Sequence, residues 1–105
     1  MKRLFVSQPM RGKTGDEIVA ERNRIILKAQ EALGEAVNPL PSFVETYDVG
    51  LTERTPVRYL ANAIAMLADA DVAVFAKGWE NSGGCQIEHM VCTEYGIPFV
   101  EIYSD

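Results

Sequence analysis

Two stretches of this 105-residue sequence collect side chains able to hold an anion. One is Ser7-Gln8-Pro9-Met10-Arg11-Gly12 near the start, and the other is Asn81-Ser82-Gly83-Gly84-Cys85-Gln86-Ile87-Glu88 near the end. Arg11 offers a bidentate fork suited to phosphate or carboxylate. Gly83 and Gly84 would let a ligand approach backbone N–H groups, which at a helix N-terminus favour negative charge. Ser82 and Asn81 can contact the same ligand, and they are equally good helix N-caps. The glycine pair matches neither G-x-G-x-x-G nor G-x-x-x-x-G-K-[ST], so neither a dinucleotide loop nor an ATP loop is signalled, and no cofactor is expected. Spacing alone does not single out Glu88, because a glutamate on a helix is rarely buried unless paired. Cys85, His89 and Cys92 share a helical face, but three ligands on one helix are cramped and no second ligand pair follows, so no metal site is assigned. Trp79 and Tyr47, aromatics on loops, are placed either to stack a base or to cover the core.

The elements that must position these residues read clearly. Leu4-Phe5-Val6 is a short apolar strand that stops at Ser7-Gln8-Pro9. Thr14-Gly15-Asp16-Glu17 matches a capping box, and a helix follows as far as Gly34. Val19, Ile26 and Leu33, with Ile18, Ile25 and Ala29 beside them, are expected to face inward, and Arg22, Arg24 and Lys28 to face water. Ala36 to Pro39 reads as a very short strand. A long connection from Leu40 to Arg54 follows, carrying Phe43, Glu45, Tyr47, Asp48 and Gly50; so long a loop is usually functional. Thr55-Pro56 starts a second helix whose buried stripe is expected to be Val57, Leu60, Ala61, Ile64, Leu67 and Ala68. Asp71 to Phe75, apolar after its first residue, reads as a central parallel strand. A loop over Ala76 to Ser82 leads to a third helix from Gly83, with Ile87, Val91 and Tyr95 expected inside and Gly96 ending it. Phe99 to Tyr103 is the last strand. The order βαβαβαβ demands a parallel sheet with helices on both faces. Ligands then sit beyond the carboxyl ends of the strands, where strand order reverses, and the loops after the first and third strands should face one another there.

Ten Lys and Arg against fifteen Asp and Glu give a formal net charge of −5, which argues against a nucleic-acid polymer or an anionic membrane as partner. Cys85 and Cys92, seven apart on a helix, would have Cα atoms roughly 10 Å apart. That exceeds the reach of a disulfide, about 7 Å, so reduced thiols and a cytoplasmic location are expected. The apolar run at the N-terminus ends at Ser7, too short for a signal-peptide core or a membrane span.

Phe5-Val6-Ser7-Gln8-Pro9-Met10-Arg11-Gly12, Ala70-Asp71-Val72, and Ser82 to Glu88 ending at Gly96-Ile97-Pro98 together resemble the nucleoside 2-deoxyribosyltransferase-like superfamily over nearly the whole chain. The nearest likeness is to its small bacterial and phage members with a Ser-x-Pro-Met-x-Gly loop, and also to hydrolases of deoxynucleoside 5′-monophosphates. The resemblance implies one α/β domain over 1–105, a Rossmann-like (flavodoxin-like) three-layer sandwich with a parallel sheet of four to five strands. It places a catalytic glutamate at Glu88, with Gly84 and Gly96 at the family's glycine positions, and a phosphate-binding serine at Ser82. Ser7, Gln8, Pro9, Met10, Arg11, Gly12, Ser82, Gly83 and Gly84 would bind substrate. Glu88 would attack the anomeric carbon of a 2′-deoxyribonucleoside or its 5′-monophosphate, giving a covalent glycosyl-enzyme that water or another base resolves. A homodimer or larger homo-oligomer is implied as well. The family's second acid falls at Ala63 here, with Asn62 beside it and Asp48 or Glu45 as substitutes. The rival reading is therefore a non-catalytic nucleotide-binding module. A third is an interaction subunit with no small ligand.

Overall fold

The structure is a computed structural model that describes residues 1–42 and 55–104. Phe43, Glu45, Tyr47, Asp48 and Gly50 lie outside the described residues.

Strand β1 (Lys2–Ser7) leads through a loop to α1 (Gly15–Leu33) and the short β2 (Val37–Pro39). Helix α2 (Thr55–Leu67), β3 (Val72–Phe75), a 3₁₀ turn (Trp79–Asn81), α3 (Gly83–Tyr95) and β4 (Phe99–Glu101) follow. The four strands pair in parallel in the order β2-β1-β3-β4. The fold is Rossmann-like α/β, as the alternation predicts.

Local chemistry sets the element ends. The Thr14 hydroxyl accepts from the Glu17 amide at 3.2 Å and the Thr14 amide donates to Glu17 Oε1 at 2.9 Å, closing the capping box. Gly34 and Gly96 end α1 and α3 with φ of 71° and 70°, the left-handed cap that glycine adopts without strain.

Alternation along the strands sorts the core into two sides. Leu4, Val6, Val72 and Val74 pack on Ile25 and Ala29 of α1. Phe5, Ala73 and Phe75 pack on Leu67 of α2 and Cys92 of α3. Helices thus cover both faces.

Several expected faces are corrected. In α1 the buried residues are Ile18, Ile25 and Ala29, while Val19 is exposed and Ile26 and Leu33 pack only partly on the core. In α2 Leu67 is fully buried, but Val57 and Ala61 are exposed, as is Ala68 just past its end. In α3 Cys85, Glu88 and Cys92 face the sheet, whereas Ile87 and Tyr95 are exposed. The physical reason is helical phase: Cys85, Glu88 and Cys92, spaced by three and four, form one stripe, and cysteine behaves as a small hydrophobe that can fill it. The bulkier Ile87 and Tyr95 are left outside. Arg22, expected in water, is half-buried and donates to Ser42 Oγ at 2.8 Å and to the Leu40 carbonyl at 2.5 Å. It ties α1 to the chain leaving β2. Strand β4 ends at Glu101, short of Tyr103, although the Ile102 amide still donates to the Phe75 carbonyl at 2.8 Å.

Candidate active site

Strand order reverses between β1 and β3, and in open α/β sheets the space beyond the carboxyl ends at such a reversal is the crevice where ligands bind. Ser7 is the last residue of β1 and lies opposite Phe75, the last of β3. The Ala76 amide donates to the Ser7 carbonyl at 2.9 Å, and Gly78 (φ 90°) leaves only 3.7 Å between its would-be Cβ and Pro9 Cγ. The loops after β1 and β3 therefore meet.

Alternation then sends Ser7 and Gln8 to opposite sides. Ser7 follows Phe5 toward α3, where its hydroxyl donates to Glu88 Oε1 at 2.6 Å. Both residues are buried, at 1% and 8% exposure. Among the described residues no donor reaches the other oxygen, Oε2. Burial pushes the Glu88 carboxyl up from the ordinary 4.5 to about 7, with the Ser7 hydrogen bond pulling the other way. Burial likewise raises the Cys85 thiol, which lies beside the Ser7 and Ser82 hydroxyls, and takes Cys92 up to about 11, helped by the charge of Glu88. Two neutral thiols thus flank one carboxyl that is half-ionised near neutral pH. Such a group can attack an electrophilic carbon when ionised or hand over a proton when neutral.

Gln8 turns toward α1, with Nε2 donating to the Ile18 carbonyl and to Glu21 Oε1, both at 3.3 Å. Lys13 Nζ holds the other Glu21 oxygen at 2.7 Å. Pro9 and Met10 are half-buried, and Arg11 and Gly12 are exposed at the tip of the turn, with Gly12 at φ 78°.

Ser82 is the N-cap of α3, its hydroxyl accepting from the Cys85 amide at 3.5 Å. Behind it, a Cβ on Gly83 or Gly84 would meet nothing within 4 Å among the described residues, and neither residue has a positive φ. Among the described residues the fold itself does not require glycine at either position, and both stand in the first turn of α3 beside its N-cap.

The remaining sequence candidates go elsewhere. Ala63 packs against the cluster of Phe5, Leu67 and Phe75, so α2 brings a methyl group to the position of the implied second acid. Asp71 lies at the opposite end of the sheet, accepting from the Arg3 amide at 2.7 Å. Cys85 and Cys92 point into the core, while His89 stacks on Trp79 with ring centroids 3.9 Å apart and bonds Glu101 Oε2 at 2.8 Å. Trp79 therefore stacks on a side chain of its own protein. Among the described residues no group of three or more His, Cys, Asp or Glu is gathered for a metal ion, and no helix is long and apolar enough to cross a membrane.

Sequence reasoning missed the Ser7 to Glu88 bond, the Gln8-Glu21-Lys13 network and the His89-Trp79 stack. The first was findable. Ser7 shares its parity with buried Phe5, and counting cysteine as apolar puts Glu88 on the inward stripe of Cys85 and Cys92.

No curated protein and no solved structure matches the chain. A family model does match, over residues 2–101, and the chain therefore belongs to the family described as a domain of unknown function, DUF4406.

Proposed function

We propose that this protein cleaves or transfers the N-glycosidic bond of a 2′-deoxyribonucleoside or its 5′-monophosphate, with Glu88 as nucleophile. The observation that carries the reading is a buried, half-ionised carboxyl bonded to the last residue of β1 at the strand-order reversal, with only one of its oxygens engaged among the described residues. Burying an ionisable group costs stability, and such costs concentrate at working sites. The likeness of the Ser82 to Glu88 stretch to the nucleoside 2-deoxyribosyltransferase-like superfamily supplies the substrate class.

In the reaction, Glu88 Oε2 bonds the anomeric carbon as the N-glycosidic bond breaks. The base leaves with the electron pair and takes a proton from water. A second water, or another base, then displaces Glu88 from the sugar and restores the carboxylate. Arg11, the Ser82 hydroxyl and the amides at Gly83 and Gly84 hold the 5′-phosphate, and that remote binding orients the sugar over Glu88. The exposed Val57, Ile87, Met90 and Tyr95 on α2 and α3 supply apolar surface for a homo-oligomer.

One observation favours a second reading. With Ala63 in place of an acid, the chain could hold a nucleotide without turning it over. Incubation with the deoxynucleoside 5′-monophosphates, following release of free base by chromatography, separates the two. Base release that disappears in Glu88→Gln is the expected result. Binding without release supports the nucleotide-binding module, and release that persists in Glu88→Gln overturns the role given to the glutamate.

A further inference from the structure

Ser7 stands in the stretch expected to touch substrate, yet its side chain is spent inside the protein. At 1% exposure it is one of the most buried polar residues, and its hydroxyl donates to a single carboxylate oxygen at 2.6 Å. We infer that Ser7 is the positioning residue of Glu88: its hydroxyl fixes one carboxylate oxygen at the end of β1 and so turns the other toward the crevice. The catalytic consequence rests on the glycosidic reading above, while the positioning itself does not.

Three features support the assignment. The serine is held on a strand, not on a loop, because β1 pairs with β3 through Ser7 itself and the Ala76 amide caps its carbonyl. A group on a rigid element positions its partner more narrowly than one on a loop. Secondly, the Cys85 thiol lies beside the same hydroxyl, one helical turn before Glu88, and burial keeps it protonated. Thirdly, only Oε1 is engaged among the described residues, so the two oxygens are no longer equivalent.

Among the described residues the titratable groups around Glu88 are these. Cys85 and Cys92 flank it on α3, and Lys13 from the loop after β1 acts on Cys85 while its amine is bonded to Glu21. Phe5, Phe75, Ala63 and Leu67, from β1, β3 and α2, make up the apolar packing on this side of the sheet.

The test follows the Glu88 side-chain carboxyl by NMR in protein labelled with ¹³C-glutamate, its signal identified by its loss in Glu88→Gln, beside the pH profile of base release. In Ser7→Ala the carboxyl should titrate higher by about one pH unit, the scale of one hydrogen bond to a charged group. The acid limb of base release should move with it. On the alkaline plateau kcat should fall by roughly tenfold to a hundredfold, as expected for a displaced reacting atom, with KM unchanged because the hydroxyl touches the enzyme and not the substrate. Ser7→Thr, which keeps the hydroxyl, should return both readouts toward the original. A folded Ser7→Ala whose Glu88 carboxyl titrates unchanged overturns the proposal. If the carboxyl moves but the unmutated protein releases base from no deoxynucleotide, the positioning role is upheld and the glycosidic reading falls.

Discussion

Replacing Glu88 by glutamine should stabilise this protein above neutral pH, and the size of the gain follows from the site. In the unfolded chain the carboxyl ionises at its ordinary 4.5, whereas in the folded protein it holds its proton up to about 7. Below 4.5 both states carry the proton and nothing is lost. Between 4.5 and 7 the unfolded chain releases its proton while the native state keeps it, so stability falls as pH rises. At about 1.4 kcal/mol for each tenfold change, the loss approaches roughly 3 kcal/mol once pH exceeds 7. Glutamine is neutral at every pH and retains an oxygen for the Ser7 hydroxyl. The stability difference between Glu88→Gln and the original should therefore widen by roughly 2 to 3 kcal/mol between pH 5 and pH 8. For a domain of this size that is about 10 to 20 °C in Tm. Glu17 and Asp71 are both held below their ordinary values, by Thr14 and by Arg3, and bend the whole-protein profile the opposite way. Comparing variant with original at each pH cancels them. Urea denaturation at pH 5, 6, 7 and 8, followed by circular dichroism, gives the numbers. A difference that stays constant over this range would refute the claim that Glu88 is desolvated, and with it the argument that the protein sustains a stability cost at this position.

The remaining predictions concern turnover, the crevice mouth and the scaffold. Base release should rise as pH passes through about 7 and then level off, because the ionised form of Glu88 attacks; a rate that falls across that range would indicate that the protonated form acts instead. Gly84→Ala should leave stability unchanged or raise it by up to about 1 kcal/mol, since alanine is the better helix former, while weakening deoxynucleotide binding measured by calorimetry. Unchanged affinity would remove the phosphate from the α3 N-terminus. Arg22→Ala should cost about 1 to 3 kcal/mol in urea titrations by leaving the Leu40 carbonyl and Ser42 without their donor; a neutral result would make Arg22 the surface residue its sequence context suggests. Leu67→Ala, at the fully buried last residue of α2, should cost about 2 to 5 kcal/mol in the same measurement.

Much of the fold is legible in the chain itself because its signals are local. The capping box at Thr14 and Glu17, the left-handed glycines at Gly34 and Gly96 and the apolar run of β3 each depend on residues within a turn or two, and each forms where the pattern places it. The βαβ order then dictates parallel pairing and puts the loops after β1 and β3 at one end of the sheet. Which side of each helix faces inward was not legible from the largest apolar side chains. Ile87 and Tyr95 lose the inward face of α3 to Cys85, Glu88 and Cys92, because which stripe of a helix meets the sheet is fixed by how the helix docks, a tertiary quantity. Arg22 is drawn out of water by the chain leaving β2, which local sequence does not reveal. The bond that defines the candidate site joins Ser7 and Glu88 across 81 positions. Its residue types are written in the sequence, but only the packing of α3 over β1 brings them within 2.6 Å and removes the water that would have left Glu88 an ordinary surface acid.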